Sequence, residues 1–164
     1  MPKKQVHGAG RRRATRTVVA VSVIALLLAV ATAVWVAHKA TATEARGARL
    51  FDGREPLTAT LSGHATPLPA QTARCSQCHA GPATSIAANS WPALPGPPLD
   101  SRHLRAPLAR RGGPPVAYDL STFCRTLREG IDPAHVMLPR AMPRFDIDDA
   151  RCEALWIHLT GNTS

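Results

Sequence analysis

Aromatic side chains are scarce in this sequence: three Trp, one Tyr and three Phe occur among 164 residues. A large core built on aromatic packing is therefore excluded. Fifteen prolines predict many turns and extended loops, and the length allows one small domain with an appendage. We expect a loop-rich domain whose side chains alone form a thin core.

Acidic residues are missing from residues 1–43, whereas residues 1–16 contain six Lys or Arg. This first segment carries most of the net charge of +9, because thirteen Arg oppose eleven Asp or Glu from Thr41 onward. A nucleic-acid-binding domain typically has a basic stripe with interspersed aromatic residues. No such stripe is evident, so we expect no nucleic-acid partner.

Charged residues are also missing from residues 18–37. As a helix, this run covers about 30 Å, which is the thickness of the hydrocarbon core of a bilayer. Trp35 lies near its far end, where interfacial indoles are common. We predict a transmembrane anchor at 18–37 behind a basic cytoplasmic segment at 1–17.

The charge before the anchor predicts its orientation, because basic segments stay in the cytoplasm. A linker at 38–44 and one domain at 45–164 then lie in the periplasm, on the outer face of the inner membrane. A cleaved signal peptide is the alternative, since residues 40–42 (ATA) offer a cleavage site. The apolar run exceeds the usual signal-peptide core of about 7–15 residues, which favours a retained single-pass anchor.

Residues 75–79 read CSQCH, the C-x-x-C-H attachment pattern of a c-type haem. The thiols of Cys75 and Cys78 have the spacing to bond two vinyl groups of one porphyrin, and the imidazole of His79 then binds the iron. We expect one covalent haem c, which also adds apolar volume to a thin core.

A thiol-redox or zinc-binding role for the motif fits less well. A redox C-x-x-C pair is typical of a βαβ context, and a structural zinc site needs a second ligand pair. Neither is evident in the sequence. Two ordinary loop cysteines followed by a chance histidine are the remaining alternative.

Five prolines lie within residues 81–98 and predict an extended, turned segment. A metal-binding histidine usually donates its second ring nitrogen to a carbonyl or carboxylate. Gly96-Pro97 is our candidate for that carbonyl, since proline keeps its carbonyl and stiffens the chain; a merely proline-rich loop is the alternative.

The arginines within 102–111 predict a solvated basic rim or, alternatively, a docking surface for an acidic redox partner or contacts to haem propionates.

Three short helices are predicted at residues 43–55, at 118–129 and from Asp146 to about residue 160. Asp119 is the expected N-cap of the second helix and Gly130 its stop. Its inward stripe is Leu120, Phe123, Cys124 and Leu127. The first and last helices are expected to cross, with Gly47 and Phe51 near Leu155 and His158.

Cys124 and Cys152 remain as an even pair outside the motif. Disulfides form and persist in the periplasm, so we predict a bond between them. Two buried, unbonded thiols are the alternative.

From about residue 45 the chain resembles the class I, single-haem c-type cytochromes. The resemblance implies an all-α fold of short helices around one haem, with His79 as proximal ligand, Met142 as distal ligand and the Pro97 carbonyl orienting His79. The link from Phe51 to Cys75 is longer than in compact members. The matching stretches, in order, are a helix with Gly47 and Phe51, Cys75 to His79, Gly96-Pro97-Pro98-Leu99, Ala141-Met142-Pro143-Arg144-Phe145 and a final helix.

The sixth ligand has alternatives. Pro143 and Phe145 follow Met142, which favours it over Met137, and a His64 or His135 ligand would give a low-potential site with two histidines.

We expect a one-electron carrier that transforms no substrate and exchanges electrons with protein partners. A cytochrome subunit of a dehydrogenase or oxidase is the first alternative, and a haem sensor or peroxidase-like enzyme is the second.

Overall fold

The computed structural model describes residues 9–79 and 96–161, with side chains from residue 22 onward. The described part is mostly helical, with one two-stranded sheet. The chain divides into two compact units, residues 1–41 and 42–164. The elements are α1 (Ala9–Phe51), β1 (Thr58–Thr60), α2 (Ser76–His79), α3 (Ser101–Arg105), α4 (Leu120–Glu129), β2 (Arg144–Asp146) and α5 (Asp149–Gly161).

Helix α1 contains the predicted membrane segment. The part of α1 from Ser22 to Phe51 is long and apolar enough to cross a membrane, and an 18-residue stretch of it has a mean hydropathy of 1.9. A signal sequence near the N-terminus has the same properties. Large apolar side chains of this part, such as Leu27 and Trp35, are exposed.

The predicted linker at 38–44 is helical, because α1 continues through it to Phe51. Residues 43–51 of the separate short helix predicted at 43–55 are therefore the last part of α1, and residues 52–55 are not helical. The sequence contains neither Pro nor Gly between residues 17 and 46, so nothing interrupts the helix there. The helix ends before Gly53, which has a left-handed φ of 77°.

Within residues 42–164, the part of the chain that the structure describes has a core of mainly aliphatic side chains. It lies between the last turns of α1, helices α3, α4 and α5, and the sheet. Phe123 and Phe145 are its buried aromatic residues within the described ranges. The larger aliphatic members are Leu50, Leu57, Leu104, Leu127, Ile147 and Leu155.

The predicted crossing of the first and last helices is present. Gly47 is buried, and a Cβ at this position would overlap the backbone oxygen of Ala154 and crowd His158. The rings of Phe51 and His158 lie 5.8 Å apart. A glycine is required here because the two backbones approach so closely.

Helix α4 begins and ends as the sequence predicts. The side chain of Asp119 accepts a hydrogen bond from the amide of Thr122, whose hydroxyl accepts one from the Asp119 amide. Gly130 ends the helix in a left-handed conformation. Leu120 was placed wrongly on the inward stripe: it is 37% exposed, because the first turn of the helix extends beyond the core.

Helix α5 begins later than predicted. Asp146 belongs to β2, and the side chain of Asp148 accepts a hydrogen bond from the amide of Arg151 at the true start of the helix. Backbone pairing with β1 holds residues 144–146 extended, which delays the helix by one turn.

The two-stranded sheet departs from the all-α prediction. In antiparallel register, Thr58 pairs with Asp146, Ala59 with Phe145, and Thr60 with Arg144. Ala59 and Phe145 point into the core, while Thr58 and Asp146 face outward. Three residues are too few for a clear alternating pattern, so the sequence predicted neither strand, and Asp146 was expected to begin the last helix.

The arginines within 102–111 are not a uniformly solvated rim. Arg105 donates to the hydroxyl of Thr160, 3.0 Å away. Arg110 donates to the carbonyls of Leu108, Val116 and His103, and Arg111 pairs with the buried Asp132. Arg105 thus joins α3 to α5, and Arg110 and Arg111 fix the loop after α3, roles that a local charge run does not reveal.

The predicted disulfide joins Cys124 to Cys152, with Cα atoms 5.8 Å apart. Both residues are buried. The bond connects α4 to α5 and closes the segment that contains Met142.

Candidate cofactor site

The C-x-x-C-H motif forms a single helical turn. The amides of Cys78 and His79 both donate to the carbonyl of Cys75, over 3.1 and 3.0 Å. Ahead of the turn, Ala73 is buried, and the side chain of Arg74 donates to that of Gln77. The turn therefore presents two free thiols and one imidazole on a short, hydrogen-bonded piece of backbone.

The imidazole of His79 is held by the segment that begins at Gly96. Its Nδ1 lies 2.7 Å from the carbonyl oxygen of Pro97, as predicted from the sequence. The amide of Gly96 donates to the carbonyl of Cys78 over 2.8 Å. A Cβ at Gly96 would overlap the ring of His79, so glycine is needed at this contact. Most of the predicted proline-rich segment, residues 80–95, lies outside the described residues.

The surroundings of the motif favour uncharged side chains. Burial lowers the pKa of His79, although the hydrogen bond to Pro97 opposes this effect. A neutral ring that faces a carbonyl carries its proton on Nδ1, which leaves the lone pair of Nε2 available to a metal. Burial raises the pKa of the Cys75 thiol to about 11, so this sulfur stays protonated near neutral pH.

The four candidates for a sixth ligand lie in different environments. Met142 is partly buried and packs against the core, whereas Met137 is 67% exposed. His64 and His135 are exposed. The amide of Met142 donates to the carbonyl of Pro139 over 3.0 Å, which orders the chain just before it. Met142 is thus the candidate that burial and core packing favour.

Asp132 orders the loop between α4 and Met142, a role that the sequence did not predict. This carboxylate is fully buried, pairs with Arg111, and accepts a hydrogen bond from the amide of Val136 over 2.8 Å. The backbone of Asp132 also accepts from Arg125. An Asp before a Pro in a loop predicts only a turn, and its distant partner, Arg111, is visible only in the folded chain.

Arg144 is a second residue whose role the sequence did not predict. Its Nη1 donates to the carbonyl of Met142 over 2.6 Å, and its guanidinium lies against Gly130. Burial lowers the pKa of Arg144. Nothing in the sequence predicts these contacts for Arg144, whereas Arg140, four residues earlier, is exposed.

The residues present fit a covalently attached haem. Cys75 and Cys78 lie one helical turn apart, His79 uses Nδ1 for its hydrogen bond to Pro97 and so leaves Nε2 as its other ring nitrogen, and Met142 offers a thioether from a separate segment. Among residues 9–79 and 96–161, no group of three or more His, Cys, Asp or Glu could hold a metal ion directly. A porphyrin iron needs at most two protein ligands, so a haem does not require such a group.

No model of a known protein family matches this chain, and no curated protein or solved structure is significantly similar to it. The functional assignment therefore depends on the residues and contacts described above.

Proposed function

We propose that this chain is a membrane-anchored c-type cytochrome that carries single electrons with one covalent haem. The observation that carries the proposal is the C-x-x-C-H turn whose histidine is held through Nδ1 by the Pro97 carbonyl. That arrangement combines the attachment thiols with a histidine in the correct tautomer for an axial ligand.

Each residue has a defined role in the proposed site. Cys75 and Cys78 would attach the porphyrin, and the imidazole of His79 and the thioether of Met142 would bind its iron. A bound haem would supply a one-electron iron couple, and a methionine ligand would raise its potential. The Pro97 carbonyl and Gly96 orient the imidazole, and the core contacts of Met142 hold the thioether segment.

The anchor and its orientation are part of the proposal. The six basic residues within 1–16, ahead of the apolar run at 18–37, favour a cytoplasmic N-terminus and therefore a periplasmic location for the domain at 45–164. Thioether attachment and the Cys124–Cys152 disulfide both suit that compartment. The redox partners are then other proteins at the outer face of the inner membrane.

The mass and redox behaviour of the full-length protein test the proposal. We expect an intact mass that corresponds to one haem per chain, haem that remains attached in acidified acetone, and a reversible one-electron titration. Replacement of both Cys75 and Cys78 by Ser should abolish attachment, whereas replacement of Cys124 and Cys152 should not. A porphyrin that extracts freely from the wild-type chain would contradict the proposal.

A further inference from the structure

Arg144 lies two residues after the proposed sixth ligand and folds back onto it. Its Nη1 donates to the carbonyl oxygen of Met142 over 2.6 Å. Its own backbone pairs with Thr60 in the sheet. The ligand segment is thereby joined through Arg144 to the framework formed by β1 and β2.

The same guanidinium covers Gly130 at the end of α4. A Cβ at Gly130 would overlap the central carbon of the guanidinium, and the glycine has a φ of 71°, which disfavours other residues as well. The carbonyl of Gly130 accepts a hydrogen bond from the amide of Leu138 over 2.8 Å. Leu138 and Arg144 flank Met142 in the sequence, so both ends of segment 138–144, here called the ligand loop, contact Gly130 at the C-terminus of α4.

Arg144 is placed unlike a solvated arginine. Its Nη2 is buried and makes no hydrogen bond with any residue that the structure describes. An arginine that served only solubility would keep its charged end in water, since burying an incompletely paired cation is unfavourable. The contacts to Met142 and Gly130 are what hold the side chain in this position.

We propose that Arg144 is a positioning residue that clamps the Met142 carbonyl against Gly130 and so keeps the thioether in place as sixth ligand. This inference rests on the proposed function, in which Met142 binds the haem iron. A planar guanidinium donates at its edge while its face covers a flat surface, and a lysine ammonium cannot do both.

Competition by an added ligand tests the clamp in the full-length haem protein. Imidazole binds ferric haem only when it displaces Met142, so a looser methionine gives a higher apparent imidazole affinity. For Arg144→Lys we expect about a tenfold increase, equivalent to roughly 1.4 kcal/mol, read from the loss of the methionine-to-iron absorption band. Hydrogen exchange of residues 139–145 should also become faster.

Arg140→Lys is the matched control, because it makes the same chemical change at an exposed residue four positions earlier in the chain. Its imidazole affinity and hydrogen exchange should equal those of the wild type. Gly130→Ala is the second test variant: it keeps Arg144 but displaces its guanidinium, and it should also raise the imidazole affinity.

The possible results distinguish failure of the proposed Arg144 clamp from failure of the proposed haem site. Unchanged imidazole affinity in Arg144→Lys, or a lower unfolding temperature alone, would overturn the clamp. Failure of both Arg144→Lys and Gly130→Ala to accumulate, with Arg140→Lys normal, would show a general folding role and would overturn it too. A wild-type chain without covalent haem contradicts the proposed function instead, while hydrogen exchange at 139–145 still reports on the clamp.

Discussion

The imidazole of His79 lies against Gly96 so closely that a Cβ would overlap ring atoms Cε1 and Nδ1. The next residue, Pro97, accepts the hydrogen bond from Nδ1, and the Gly96 amide is bonded to the carbonyl of Cys78. Two adjacent residues therefore hold the ring from its face and from its edge. This contact depends on the missing side chain of Gly96 as much as on the carbonyl of Pro97.

Gly96→Ala should disturb the proposed proximal ligand. The added methyl group displaces the ring, which lengthens the bond to Pro97 and moves Nε2 away from its position. We expect a lower yield of haem protein and a ferric spectrum altered by weakened histidine ligation. Gly161→Ala adds the same methyl group where, apart from its chain neighbours and its own helix backbone, no atom of the described residues lies within 4 Å, and it should leave both unchanged. A wild-type spectrum and yield for Gly96→Ala would contradict the importance of this contact.

Local signals in the sequence predicted part of the fold and site correctly. Asp119 and Gly130 mark the ends of α4, because a capping side chain and a left-handed residue act within a few positions of the helix terminus. The hydrogen bond from His79 to Pro97 and the close contact at Gly47 were also predicted. In each case the residue type is strongly restricted by its local geometry.

Contacts between distant segments were the part that the sequence did not reveal. Strands β1 and β2 have three residues each, and only their mutual pairing makes them strands and moves the start of α5 to Asp149. Arg111 and Arg144 are ordinary surface residues by composition, yet they contact Asp132 and Gly130 across the fold. Such partners depend on the three-dimensional arrangement and leave no periodic pattern.

Removing each methionine in turn should identify the sixth ligand. Met142→Ala is expected to abolish the methionine-to-iron band and to lower the reduction potential, because the ferrous state loses its thioether ligand. A tenfold weaker preference for the ferrous state lowers the potential by about 59 mV. Met137→Ala is the matched control and should retain both properties, since Met137 is 67% exposed. Retention of the band in Met142→Ala would move the assignment to another residue.

Glu55 should contribute stability that depends on pH. Bidentate hydrogen bonds from the Arg46 guanidinium, at 2.8–3.2 Å, lower the pKa of the Glu55 carboxyl. The Nε atom of Arg151 lies 3.6 Å from Oε1 of Glu55. Because the pKa is lower in the folded state, the stabilisation is fully present above the unfolded pKa, about 4.3. It is lost as the pH falls from there through the folded pKa.

Glu55→Gln should therefore lower the free energy of unfolding by about 1 kcal/mol near pH 7. The difference from wild type should disappear once the pH is below the folded pKa of Glu55. Glu153→Gln makes the same change at an exposed position of α5 and should have no comparable effect. Chemical denaturation over a pH series measures both variants. A difference that does not change with pH would exclude the ion pair as its cause.

The Cys124–Cys152 disulfide should stabilise the ligand loop although neither sulfur belongs to the proposed haem site. The bond spans a sequence separation of 28 residues that includes Met142. Closing such a loop contributes roughly 3.6 kcal/mol in the chain-entropy model. Replacing both cysteines by serine should therefore lower the unfolding temperature and allow added imidazole to displace Met142 more easily. Alkylation and mass spectrometry without reductant check the bond in wild-type protein. Two alkylated thiols would contradict the bond itself, and unchanged imidazole affinity in the double variant would show that the bond does not support the methionine ligand.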